Sequence, residues 1–203
     1  NLVAGLDRPD EGRVELAESV REAGGVSCVF QHYTLFPWRS VLRNVTFGLE
    51  MRGTGRRERI GKARHLLEQM GLTGFEKALP HELSGGMRQR AALAQAMAVD
   101  PPLLLLDEPF GALDSLTRGE IRDLLLQTWT CRKMTTLLVT HNIDEACLMG
   151  DRVVVFTGRP GRPSREFRRQ NLSLGRPDSG RPAHHRQRLL RGAVAPAAGV
   201  DFG

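Results

Sequence analysis

The chain has 203 residues, 40% of them hydrophobic and 26% charged, enough for one domain with a substantial core in an ordinary globular balance. Its net charge of +6 is uneven: 19 Lys and Arg face 20 Asp and Glu up to Gly158, whereas 10 Arg face 3 acids from Arg159 onward. A near-neutral body argues against a nucleic-acid surface; three cysteines without a CxxC pair argue against a disulfide framework or a zinc site and fit a reducing compartment; and no apolar run approaches the roughly 20 residues that span a bilayer.

In chain order, Asn1 to Leu6 reads as the end of a helix, stopped by "GLDRPDEG", where Pro9 and Gly12 break the pattern. "VSCVFQ" (26–31) is short, apolar and β-branched, a predicted strand. "RRERIGKARHLLEQMGL" sets Ile60, Ala63, Leu66, Leu67 and Met70 at helical spacing. A second helix follows "LSGG", with Met87, Ala91, Ala94 and Ala98 on one face. "LLLLD" (103–107) is a continuous apolar run, the mark of a buried parallel strand. "EIRDLLLQTW" is a predicted helix, "TLLVTH" a strand, "IDEACLM" a short helix and "RVVVF" a strand. Strands alternating with helices predict an α/β fold with a parallel sheet. The stretch from about 40 to 100 is read as a helical subdomain. After Gly158 the chain is rich in Arg, Pro, Gly and Ala without sustained period, and 159–203 is expected to be a largely disordered tail, with His184 and His185 carrying no role.

Four places carry chemistry. Asp107 and Glu108 close the apolar strand, where ligands of open α/β sheets bind; one suits a hard cation such as Mg²⁺ and the other the orientation or deprotonation of a water, although a solvated strand end has the same two letters. His141 follows "TLLVT" on the same predicted edge and suits a phosphate oxygen, or a structural hydrogen bond. Ser84 is a candidate N-cap, with Gly85 and Gly86 allowing close backbone approach at a helix start that favours anions; an ordinary capped helix is the bland alternative. Gln31 ends its strand on the same edge and suits a metal ion or an attacking water. The apolar loop after it, with Phe36 and Trp38, suggests a docking surface or packing against the helical subdomain.

Taken together and in this order, "VFQ", "LSGGM", "LLLLDE", "GALD" and "VTH" resemble the Q-loop, signature, Walker B, D-loop and switch of the ATP-binding subunits of ATP-binding cassette (ABC) transporters, over about Asn1 to Phe156. The resemblance implies a P-loop NTPase sheet, over 1–158, that binds ATP with Mg²⁺. It implies roles too: Gln31 senses the metal and the γ-phosphate, Asp107 holds Mg²⁺ through water, Glu108 is the general base and His141 binds the γ-phosphate. Asp114 contacts an opposite subunit, and Ser84, Gly85 and Gly86 clasp the ATP bound there. "LFPWRSVLRNVTFGLEMRG", Met87 after "LSGG" and "GRPGR" are similar to the nitrate, sulfonate and taurine importer branch. That branch implies a dimer at the cytoplasmic face of the membrane, beneath membrane subunits served by an extracytoplasmic solute-binding protein, and no nucleic acid.

In the family "NLVAGL" follows the phosphate loop almost directly, and no G-x-x-x-x-G-K-[ST] occurs in these 203 residues. The chain is therefore expected to be a fragment that lacks the N-terminal part of the sheet and does not bind ATP alone. A decayed gene and a signature-donating partner in a heterodimer are the alternatives. A non-transport ABC ATPase is a further one, disfavoured by the absence of a long coiled coil and of a second cassette.

Overall fold

A computed structural model describes residues 1–22, 25–31, 34–131, 134–158 and 161–168. The chain forms two compact units, residues 1–141 and 142–203. The first contains α1 (Glu18–Glu22), β1 (Val26–Val29), α2 (Val41–Met51), α3 (Arg56–Gln69), a 3₁₀ turn (Pro80–Glu82), α4 (Gly85–Ala98), β2 (Leu103–Asp107), α5 (Ser115–Cys131) and β3 (Thr135–Val139). The second contains α6 (Ile143–Met149), β4 (Arg152–Phe156) and β5 (Pro163–Arg168).

The expected α/β architecture is present. β2 is the centre of a three-stranded parallel sheet ordered β1-β2-β3. Its register sets Val29 beside Leu106 and Asp107 beside Val139, so the three strands end together. Leu103, Leu104 and Leu106 are buried, as a parallel strand covered on both faces requires. β3 alternates instead, and its Leu137 and Val139 are 46% and 54% exposed.

α2, α3 and α4 form a cluster of helices that pack on one another, while α4 also lies against β1. Val45, Leu67, Ala91 and Ala94 are fully buried at its centre; a buried leucine of this kind contributes about 1.5–3 kcal/mol. Ser40 caps α2, its Oγ accepting from the Arg43 N–H at 3.4 Å. One turn further on, buried Asn44 fastens the preceding loop. Its Oδ1 accepts from the Phe36 N–H at 2.7 Å, and its Nδ2 donates to the carbonyls of Phe36, Arg39 and Ser40 at 3.2, 2.9 and 3.1 Å.

Asn1–Leu6 closes in the way a helix end does, as expected. It is a single turn, closed by hydrogen bonds from the Gly5 N–H to Leu2 O and from the Leu6 N–H to Asn1 O, both 3.1 Å. Gly5 stands at φ +72, a left-handed conformation that ends a helical turn rather than continuing it.

In the second unit the apolar run Arg152–Phe156 pairs antiparallel with β5, a strand the Arg- and Pro-rich text did not signal. Its charges are matched across the pair: Arg152 meets Glu166 through Nε at 2.8 Å and Nη2 at 2.9 Å. The Arg152 guanidinium holds the Glu166 carboxyl below the usual carboxylate range. The remainder of the expected disordered tail, 169–203, lies outside the described residues, as do His184 and His185.

Cys28 and Cys147 are free thiols, and burial pushes both above the ordinary thiol range, which makes them poor nucleophiles. Among the described residues no helix is long and apolar enough to cross a membrane.

Candidate functional site

The common end of the three strands brings Gln31, Asp107, Glu108 and His141 to one edge of the sheet, each one or two residues past or at a strand terminus. Glu108 is the hub. Its Oε1 lies 3.0 Å from His141 Nδ1, and its Oε2 accepts from Gln31 Nε2 at 3.3 Å. An ionised carboxylate only accepts, so the His141 nitrogen facing it carries the proton. Each carboxylate oxygen keeps a second lone pair, which leaves room for a water.

The backbone at Glu108 is unusual. It stands at φ +47, in the left-handed region that non-glycine residues rarely adopt. Strain of this kind, about 1–3 kcal/mol, persists where the surroundings over-determine it. Here the Glu108 N–H donates to Val139 O at 2.9 Å, extending the sheet by one bond, and Glu108 O accepts from the Gly111 N–H at 3.3 Å. The chain thus turns sharply between the end of β2 and the loop 109–114, and the turn aims the Glu108 side chain at the ends of β1 and β3.

Asp107 is exposed at the last position of β2. Two adjacent carboxylates fit a hard cation, but among the described residues no group of three or more His, Cys, Asp or Glu side chains converges.

The first turn of α4 carries the predicted cap. Ser84 Oγ accepts from the Met87 N–H at 3.2 Å, and the helix start turns its early N–H groups outward, the positive end of the dipole. Gly86 is more confined than Gly85. A Cβ there would lie 3.3 Å from Leu113 Cδ2 and 3.4 Å from Ala112 O, whereas at Gly85 the nearest atom is 3.8 Å away. The loop after Glu108 thus packs on the start of α4. Asp114, in that loop, caps α5: its Oδ1 accepts from the Thr117 N–H at 3.0 Å, a bond that holds its carboxyl below the usual range.

Two side chains that sequence reasoning passed over complete the arrangement. Gln89, 2% exposed on α4, donates from Nε2 to Glu108 O at 3.4 Å and accepts at Oε1 from the Ala112 N–H at 3.3 Å. Asn44 fixes the loop after Gln31, as described above. Neither stands out in the sequence: Asn44 directly follows Arg43, and Gln89 lies between Arg88 and Arg90. Beyond Asn44, Arg39 stacks on Phe47, 4.8 Å from the ring centroid, and Phe36 meets Phe47 edge-on at 4.7 Å. Trp38 is left 75% exposed.

The match to known proteins is consistent with this geometry. The family model described as "ABC transporter" matches residues 1–111. The chain belongs to the ABC transporter family. It is 51% identical over 163 residues to an uncharacterized ABC transporter ATP-binding protein of Methanocaldococcus jannaschii, covering 79% of this chain and 61% of that one. It is 45% identical over 178 residues to a taurine import ATP-binding protein of Pseudomonas syringae pv. tomato, covering 87% and 67%. A nitrate import ATP-binding protein of Synechocystis is 42% identical over 168 residues, covering 82% and 63%. The chain thus spans about three fifths of the length of several curated relatives it matches. Its fold resembles that of an ATP-binding cassette solved as a dimer in a post-hydrolysis state with ADP and Pi, with a TM-score of 0.73 and 32% identity over 83% of this chain and 78% of that one.

Proposed function

We propose that the protein is part of the ATP-hydrolysing subunit of an ABC importer for taurine-, sulfonate- or nitrate-like solutes. The observation that carries this reading is the Glu108 carboxylate held between Gln31 and His141 at the carboxyl edge of the sheet. In this reading Glu108 accepts a proton from the attacking water through a free lone pair. Gln31 and His141 hold that carboxylate in place; Asp107 would hold Mg²⁺, and the bound ion would supply charge neutralisation at the phosphates. His141 reaches a γ-phosphate as a donor through its other nitrogen only in the imidazolium form, or after its ring turns away from Glu108. Ser84, Gly85 and Gly86 offer N–H groups to a phosphate of ATP on a second subunit, and Asp114 lies at that interface.

The names of the taurine and nitrate relatives support the solute class. The exposed Trp38 beside Phe36 and Phe47 supports docking on membrane subunits at the cytoplasmic face, with a solute-binding protein acting through them. The test is site-specific crosslinking. A Trp38→Cys variant, co-expressed with the membrane subunits of a taurine-type importer, is expected to crosslink to them, and solute uptake is expected to fail with Glu108→Gln. Crosslinking to ribosomes or co-sedimentation with DNA instead would sink the transport reading.

A further inference from the structure

Gln89 is a buried amide with both ends used on the segment that carries Glu108. Its donor meets the Glu108 carbonyl and its acceptor meets the Ala112 N–H, so one side chain spans the loop 108–112 from first residue to last. The left-handed backbone of Glu108 is then held from two sides: the N–H by Val139 of β3, the carbonyl by Gln89 and the Gly111 N–H. The φ of a residue sets the direction of its Cα–Cβ bond. If the carbonyl of Glu108 is released, the residue relaxes toward the ordinary right-handed or extended regions, and its carboxylate swings away from Gln31 and His141.

Gln89 also lies on the helix that begins at Gly85, with Ser84 as cap, roughly 6–8 Å along the axis at 1.5 Å per residue. The same helix start packs against Ala112 and Leu113. The geometry points to Gln89 as a positioning residue that ties the Glu108 carboxylate to the first turn of α4. A displacement of that turn is passed to the carboxylate through one amide. The catalytic consequence rests on the function proposed above; the positioning itself does not.

The test therefore has two arms. In the first, ¹⁵N-labelled chain reports the side-chain NH₂ signals of Gln31, whose Nε2 touches Glu108, and the amide exchange of Ala112. Gln89→Met, of similar volume but without hydrogen bonds, is expected to move the Gln31 signals to their positions in Glu108→Ala and to speed Ala112 exchange by at least about tenfold. Gln89→Glu keeps the acceptor for Ala112 but turns the donor into an oxygen facing the Glu108 carbonyl. It is expected to shift the Gln31 signals while Ala112 stays protected, and it decides the question if the Met variant does not fold. Gln31 signals that stay at their wild-type positions in the folded variant would overturn the proposal, leaving Gln89 as a staple between helix and loop. In the second arm, an N-terminally extended form that hydrolyses ATP is expected to lose kcat by on the order of 10- to 100-fold in Gln89→Met with KM for ATP unchanged. A raised KM at constant kcat contradicts positioning. Absence of turnover in the unsubstituted extended protein counts against the proposed function and leaves the first arm to decide Gln89.

Discussion

Replacing Asn44 by Ala removes the side chain that fastens the loop between Gln31 and α2. Four contacts disappear: one accepted from the Phe36 N–H and three donated to carbonyls. The losses are unequal. Phe36 O keeps the Arg39 N–H, and Ser40 O keeps the N–H of residue 44. The Phe36 N–H and the Arg39 carbonyl lose the contacts that Asn44 gave them. A buried group left unpaired costs about 1–3 kcal/mol, toward the lower end for these part-buried positions. Alanine recovers roughly 0.5 kcal/mol through helix propensity. The expected net loss is about 1.5–2.5 kcal/mol, or roughly 4–8 °C in Tm for a unit of this size. Asn44→Asp sharpens the test. It keeps the acceptor for Phe36 but sets a carboxylate oxygen against three carbonyls, so its folded-state pKa rises above the unfolded value. Its protonated form is the stable one, and its deficit grows as pH rises through that raised pKa. Urea denaturation of each variant, followed by tryptophan fluorescence across pH, measures this. Asn44→Ala within about 0.5 kcal/mol of the parent, or Asn44→Asp as stable as the parent at neutral pH, would refute the clamp.

Asp100, at φ +47 just past α4, contacts Lys62 and has a left-handed backbone. Asp100→Gly and Asp100→Val both lose the ion pair, so their difference isolates the backbone cost: the Val variant is expected to be about 1–3 kcal/mol less stable by chemical denaturation, and equal stabilities would contradict it. Asp114 has a depressed folded-state pKa because of the Thr117 N–H, so its capping of α5 is present above the unfolded carboxylate pKa and is lost as pH falls through the folded one. Asp114→Asn keeps an acceptor without the charge and should flatten the acid limb of a stability–pH curve; an unchanged limb counts against the cap.

Much of the site could be read from letters because its positions follow strand ends. The apolar run Leu103–Leu106 announces a parallel strand by itself, and Asp107 and Glu108 then fall at its carboxyl end whatever the neighbours do. Gln31 and His141 were placed by the same logic, and Ser84 by the capping preference of a hydroxyl before a helix. The left-handed turn at Glu108 was not readable, because it is imposed by Val139 and Gln89, which are distant in sequence. Burial of Asn44 and Gln89 likewise depends on what packs over them, which a single helix does not encode. β5 was hidden because its arginines look like a solvated tail until Glu166 pairs with Arg152 across the strands. The helix end at Asn1–Leu6 was legible because Gly5 supplies the left-handed residue that closes such an end, ahead of the breakers Pro9 and Gly12.

The most direct measurement concerns Glu108. Mg-ATP binding and phosphate release are measured for the 203-residue chain and for a form extended by a relative's phosphate-loop segment, each with Glu108→Gln. The account predicts no binding by the chain alone. It predicts that the extended Glu108→Gln variant binds ATP like its parent and releases phosphate about 10²- to 10⁴-fold more slowly, as loss of a general base requires. Phosphate release at the parental rate by that variant would contradict the assignment of Glu108 and the site built around it.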